Sequence, residues 1–236
     1  MTFETPLHLV TVQRAALDPD PRRRLIEIPD HAELAAQARH INASRAKRAL
    51  DVGISGLLLL LLLPTLISVA IAIKLTSPGP VLSRHQRHGA GRQIFWILKF
   101  RTMRVTEAKG AFQQASQNDA RVTAVGKWLR QSGLDELPQL LNVLMGTMSL
   151  IGPRPDAASM DAHDGQIIPH RSVRHLVRPG LTDLAQVKGY REPTDEVDAI
   201  AGRIAHDAAY IRDWTFLRDI QILLRTPAVL LWRNVV

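Results

Sequence analysis

Between Val52 and Ile73 the chain carries no charged residue, and Leu57 to Leu63 is an unbroken run of leucine. At about 1.5 Å of rise per residue, a helix over this stretch is long enough to cross a hydrocarbon core of about 30 Å. Pro64 sits near its centre, where it removes a backbone hydrogen bond and presses its ring on the preceding turn, so a bend is expected there. Basic residues flank both ends: Arg45, Lys47 and Arg48 before it, then Lys74, Arg84, Arg87 and Arg92 after it. A crossing helix normally concentrates Lys and Arg on its cytoplasmic side. Hydropathy taken alone favours a spanning helix that tolerates its proline. Symmetric flanks and a central proline favour a helix-bend-helix that enters one leaflet and returns. Both readings stay open at the level of the residues.

This stretch divides the chain into three regions. Residues 1–45 form a polar tail, with the Pro- and Arg-rich run Asp18 to Arg24 and one short helix near His31 to His40. No apolar run near Met1 precedes a small-residue cleavage site, so a cleaved secretory signal is not expected. On the re-entrant reading, residues 46–75 form a membrane hairpin. Residues 76–236 are expected to form one catalytic domain: a small, helix-rich, mixed α/β unit of the α+β type. Within it, Ser77-Pro78-Gly79-Pro80 is a turn, Gly89-Ala90-Gly91 a hairpin tip, and Ile94 to Phe100 a buried strand. Leu134, Leu137, Leu140, Leu141 and Leu144 have helical spacing, ended by Gly146. Tyr210 to Trp232 carries apolar residues at helical spacing, interrupted by Pro227 and dotted with arginines. Such a segment suits a membrane surface or the protein's own core equally.

The formal charge of +8 calls for an anionic partner: nucleic acid, anionic lipid or a phosphorylated substrate. Aromatics make up 5% of the chain, too few for the stacking platforms of single-strand binders, so nucleic acid is not expected among the partners. Cysteine is absent. That removes thiolate nucleophiles and cysteine-based metal sites, so any nucleophile is an oxygen or a nitrogen. His85 with His88, and His170 with His175, come without an evident third ligand, and surface or phosphate-proximal roles are expected in preference to zinc.

The chemistry concentrates in Ser132-Gly133-Leu134-Asp135-Glu136-Leu137-Pro138-Gln139. Ser132 and Asp135 have capping-box spacing, and acids in a first helical turn suit the helix dipole. Adjacent helical positions point about 100° apart, so one carboxylate can face a phosphorus while its neighbour takes a metal or supports it. Downstream, a short strand from Met148 leads into Gly152-Pro153-Arg154-Pro155, where two prolines fix the backbone around Arg154. Upstream, Lys99 and Arg101 lie at a strand end. Phosphoryl transfer to a carboxylate sets an anion against an anion, so fixed cations and Mg²⁺ must neutralise the phosphates. Each cation, taken singly, is equally readable as a solvated surface charge.

The ordered motifs Lys47-Arg48-Ala49-Leu50-Asp51, Ser77-Pro78-Gly79-Pro80-Val81, Gln86-Arg87-His88-Gly89, Lys99 to Met103, Leu134 to Leu140, Leu150 to Pro155, Arg178-Pro179-Gly180-Leu181-Thr182 and Tyr210 to Trp214 carry a family resemblance. From about Lys47 to Trp232 the chain resembles the bacterial sugar transferases that initiate polysaccharide assembly, the monotopic phosphoglycosyl transferases. It is most similar to those moving glucose- or galactose-1-phosphate onto undecaprenyl phosphate. The resemblance implies that Asp135 is the nucleophile on which a covalent phosphosugar forms and that Glu136 is tied to Mg²⁺ beside it, the two acids together forming the metal site. It makes Lys99, Arg101, Arg154, Arg87 and Arg178 the candidate phosphate-binding cations. It also implies that Pro64 breaks a re-entrant helix, that a UDP-sugar, undecaprenyl phosphate and membrane lipid are partners, and that the catalytic part faces the cytoplasm at the bacterial inner membrane. A homodimer is compatible with the sequence.

Four positions depart from the family pattern. Leu63 stands where relatives often have Ser, Thr147 where Asp is frequent, and Asp183-Leu184 where Gly-Trp is usual. Larger members carry further membrane helices before the catalytic part, so this chain resembles a short, catalytic-core form. Two other functions compete: an inert membrane-anchored homologue acting as scaffold or regulator, and a glycosyltransferase that releases UDP.

Overall fold

A computed structural model describes residues 30–104, 119–155, 171–190 and 197–232. Most of the expected tail, His170 and the side chain of Trp232 lie outside the described residues. The described chain is helix-rich with two small sheets, a mixed α+β arrangement.

Helix α1, His31–Ala43, places Leu34, Ala38 and Ile41 in the main core, so this segment is packed against the rest of the protein. Ser44 then caps α2, Arg45–Leu61, by accepting a 3.2 Å bond from the Lys47 amide. Leu62 separates α2 from α3, Leu63–Thr76, and the two helices are bent by 62°. The bend lies just before Pro64 instead of on it. Pro64 falls in the first turn of α3, where a missing N–H has no helical partner to lose, and its ring disfavours a continuous helix through the preceding residues.

No single described helix is long and apolar enough to cross a membrane, whereas the bent α2–α3 pair passes by length and composition. Its polarity is inverted relative to a soluble helix. Lys47, Asp51 and Ser55, spaced by four on α2, face inward and are buried, while Leu57, Leu60, Leu61, Leu63, Ile67 and Ile71 are exposed.

Strands β1 (Leu82–His88) and β2 (Ile94–Phe100) form an antiparallel hairpin in the register Leu82 to Phe100 through His88 to Ile94. Gly91 has φ of 64° at its tip, a backbone region glycine adopts freely. Thr123 caps α4, Ala124–Ser132, whose end is marked by Gly133 at φ 73°. The expected helix from Leu134 is divided. A 3₁₀ turn covers Leu134–Glu136, and α5 covers only Gln139–Met145 after Pro138, ending at Gly146. The capping-box reading of Ser132 is corrected too, since its hydroxyl donates back to the Trp128 carbonyl at 2.9 Å and closes α4. The left-handed Gly133 is what separates the two helices.

Strand β3 (Ser149–Ile151) pairs in parallel with β4 (Gly180–Thr182), the 3₁₀ turn Arg171–Leu176 lying between them in sequence. Three helices follow: α6 (Leu184–Val187), α7 (Val197–Arg212) and α8 (Phe216–Trp232). Tyr210 therefore belongs to α7, separate from the terminal helix with which its spacing grouped it, and α8 continues through Pro227. The main core joins α1, β2, α5, β3, α7 and α8, and a second cluster packs Val69 and Ile73 of α3 against Phe100 and Leu129.

Candidate active site

The 3₁₀ turn carrying Asp135 and Glu136 sits between α4 and α5 and against the end of β2. Two segments distant in sequence meet on Glu136. Lys99 of β2 donates to Glu136 Oε1 at 2.8 Å, and Arg154, just past β3, donates to the same oxygen at 2.6 Å. The second Arg154 nitrogen lies 3.5 Å from Glu136 Oε2. Burial acts to raise the Glu136 carboxyl, yet the Arg154 guanidinium and Lys99 ammonium outweigh it and hold the group well below the ordinary carboxylate range. Glu136 is thus a fixed anion between two cations, and its charge raises the Arg154 guanidinium in turn.

Asp135 is in a different state. It is half-buried and accepts no side-chain hydrogen bond among the described residues. Desolvation, followed by the adjacent Glu136 charge, pushes its carboxyl above the ordinary value, while Lys99, Arg130 and Arg154 pull it back. Two neighbouring acids are therefore driven apart, one pinned and favoured in its ionised form, the other uncommitted and easier to protonate.

Arg130 is the member of this group that sequence reasoning missed. It stands on the last turn of α4, donates to Thr102 Oγ1 at 2.9 Å, and lies within electrostatic reach of Asp135. It belongs to no motif named above.

The other expected cations divide. Strand alternation puts Arg87, His85 and Ser83 on the face of the hairpin that carries Lys99, and Arg87 and Lys99 both act on His85. Burial first, then these two cations, lower the His85 imidazole below its ordinary value. Arg178 approaches through its backbone: its amide donates to Asn42 Oδ1 at 3.4 Å, and a Cβ on Gly152 would lie 2.4 Å from its carbonyl oxygen. Arg101 does not join Lys99 on the acids. It is buried and donates to Pro78 O, to Ser77 O at 2.7 Å and to Ser77 Oγ at 2.9 Å, clamping the turn that leaves α3. One peptide bond beyond β2, the chain has left the strand alternation that aims Lys99.

Among the described residues no group of three His, Asp or Glu side chains converges on a metal position. The acid pair nonetheless fits the way Mg²⁺ is commonly held, by one or two carboxylates together with substrate phosphates. Among the described residues Glu136 Oε2 has only the long 3.5 Å contact and keeps lone pairs available.

Two departures from the family pattern have structural roles. Asp183 caps α6, accepting from the Gln186 amide at 2.7 Å, and Thr147 Oγ1 donates to the Asn142 carbonyl at 3.2 Å. Neither residue bonds to Asp135 or Glu136.

An uncommitted carboxylate, a second one held by two cations and further cations around them make an anion-handling centre on this α+β scaffold. The chain belongs to the bacterial sugar transferase family, whose profile it matches over residues 42–233, and is an enzyme of the phosphoglycosyl transferase class. It is 50% identical over 185 residues to the UDP-glucose:undecaprenyl-phosphate glucose-1-phosphate transferase of Caulobacter vibrioides, covering 78% of this chain and 69% of that protein. It is 45% identical over 180 residues to the like-named protein of Escherichia coli, covering 76% of this chain but 39% of that longer protein. The exopolysaccharide production protein PSS of Rhizobium leguminosarum is 43% identical over 185 residues, with 76% of this chain and 92% of that protein covered.

Proposed function

We infer that the protein transfers a sugar-1-phosphate from a UDP-sugar to undecaprenyl phosphate, releasing UMP, through a covalent phosphosugar on Asp135. The observation that carries this reading is the contrast between the two acids: Glu136 is locked by Lys99 and Arg154, while Asp135 accepts no side-chain hydrogen bond among the described residues, beside the same cations. A nucleophile must be free to approach phosphorus, and a site for two phosphates needs positive charge fixed beforehand.

In the first half-reaction an Asp135 oxygen attacks the sugar-linked phosphorus of the donor. The bond from that phosphorus to the bridging oxygen breaks, and UMP departs with the electron pair. In the second, an oxygen of the polyprenyl phosphate attacks the same phosphorus, the aspartyl acyl-phosphate bond breaks, and the lipid diphosphosugar leaves. Lys99, Arg154 and Arg130 face the charge that collects on the equatorial oxygens, with Arg87 and Arg178 extending the basic surface. Mg²⁺ held by Asp135 and Glu136 would neutralise diphosphate charge. Glucose is the favoured sugar because relatives at 44–50% identity are named for UDP-glucose.

The α2–α3 pair is read as a re-entrant hairpin in the inner membrane, with the acids on the cytoplasmic side above it. Its exposed leucines and inward Lys47, Asp51 and Ser55 support that reading, since a contiguous apolar face turned outward suits a lipid environment. The first half-reaction is tested by incubating the detergent-solubilised protein with UDP-glucose and Mg²⁺. UMP release and an intact-mass increase of one hexose phosphate are expected, both absent in Asp135→Asn. UDP as the product, or an adduct persisting in that variant, overturns it.

A further inference from the structure

Pro153 and Pro155 bracket Arg154, and a residue before proline is confined to extended backbone. That restricts ψ of Arg154 and with it the direction in which its carbonyl leaves the turn. Arg174, in the 3₁₀ turn before β4, donates from Nη2 to this carbonyl at 3.0 Å. Its Nε donates to Asp207 Oδ2 at 2.7 Å, and both side chains are almost fully buried, with 3% and 1% exposure. Asp207 sits on α7 among the core residues Ile204, Ala208 and Ile211. A continuous path therefore runs from the core helix through Arg174 to the main chain of Arg154, whose guanidinium holds Glu136.

We propose that the buried Asp207–Arg174 pair is the positioning device for Arg154, fixing the angle at which it meets Glu136 and the donor phosphates. The planar guanidinium suits this role because it donates in two directions from one rigid plane, which a lysine ammonium on a flexible stem does not. Asp207 orients that plane and balances its charge in a dry environment. The inference rests on the reading that Arg154 and Glu136 serve phosphoryl transfer, and it assigns Arg174 and Asp207 no contact with substrate.

The test is a double-mutant cycle on UMP release and adduct formation, run with enzyme in excess so that weak variants give measurable single-turnover rates. Arg174→Lys keeps a cation opposite Asp207 and is expected to lower the rate roughly 10- to 100-fold, the scale of a small misplacement of a reacting group. In an Arg154→Ala background the same change is expected to alter the rate less than about 2-fold, because a positioning residue has nothing left to position. Arg174→Met with Asp207→Leu removes both members together, so that neither is left buried without the other, which keeps the cycle readable should the single variant unfold. It is expected to give the same loss and the same silence. Losses that multiply in the Arg154→Ala background, or full activity in the paired variant, overturn the positioning role while leaving the site reading intact. Full activity of Arg154→Ala alone overturns the site reading and this inference with it.

Discussion

Lys47 Nζ lies 2.7 Å from Asp219 Oδ2, so the first turn of the apolar helix pair is bonded to the C-terminal helix across 172 residues of chain. The same ammonium donates to the Ile151 carbonyl at 2.9 Å, and Asp219 also accepts from Tyr210 at 2.8 Å and Trp214 at 3.1 Å. Four residues further along α2, Asp51 accepts from the Leu150 amide at 2.9 Å and from the Ser149 hydroxyl at 3.1 Å. The base of the bent helix pair is thereby fastened to β3, and β3 leads directly to Arg154.

Breaking the Lys47–Asp219 pair on one side leaves a carboxylate buried without its cation. Lys47→Met is expected to destabilise the protein by about 3–5 kcal/mol. Adding Asp219→Leu is expected to recover a large part of that loss. Thermal unfolding of the three proteins in one detergent measures both effects, and equal instability of the single and double variants would refute the pair as the cause.

Asp135→Asn is expected to abolish turnover and yet raise the melting temperature at pH 7. Because folding raises the Asp135 carboxyl above its ordinary 3.8, the ionised form costs stability at every pH above that range. Below it both states are protonated, and the two proteins should melt together. Melting curves at neutral and strongly acidic pH decide the matter.

In the proposed mechanism adduct formation needs Asp135 ionised, so its rate should fall as pH drops through the raised value. Arg130→Gln removes a cation that favours the carboxylate, and the acidic limb should move to higher pH. Glu136→Gln removes the neighbouring like charge, and the limb of its residual activity should move to lower pH. Movement of both limbs in one direction would contradict this electrostatic assignment.

Gly126 packs on the Thr102 backbone so tightly that an added Cβ would lie 2.0 Å from its carbonyl oxygen. Gly126→Ala should therefore cost about 1–3 kcal/mol or more, as overpacked sites do. Gly152→Ala meets the Arg178 carbonyl at 2.4 Å, and it should lower turnover as well as stability because Arg154 moves with that turn. Unfolding curves and UMP release measured side by side would expose any failure of this difference.

Since the chain has no cysteine, single introduced thiols report topology without background. Arg45→Cys and Leu75→Cys mark the two ends of the bent pair, the second at a position 82% exposed. Both should react with a membrane-impermeant thiol reagent from the same side of sealed vesicles. Added Pro64→Leu is expected to straighten the pair and carry the Leu75→Cys thiol to the opposite side. Labelling from opposite faces in the protein with Pro64 intact would establish a spanning helix instead.

Several elements were legible in the residues because their signals are local. The uncharged stretch, the bend near Pro64, the 89–91 hairpin tip, the 94–100 strand and the adjacent acids all follow from composition and turn chemistry within a few residues. The single helix expected from Leu134 was not, because its leucine spacing runs through Pro138 while Gly133 decides where α4 stops. Lys47, Arg48 and Asp51 read as a motif and a charged flank; their roles depend on partners in α5, β3 and α8 that no local pattern announces.

The sequence by itself determined that this chain carries a broken apolar segment, a pair of adjacent acids and a surplus of cations. Tertiary structure alone decided which cations meet the acids. Lys99 and Arg154 converge on Glu136 from 37 and 18 residues away, Arg130 arrives from a helix end, and Arg101 turns aside to a buried turn. The physical reason is that charge interactions depend on distance through space in a medium of low polarity, whereas periodicity and capping are written along the chain.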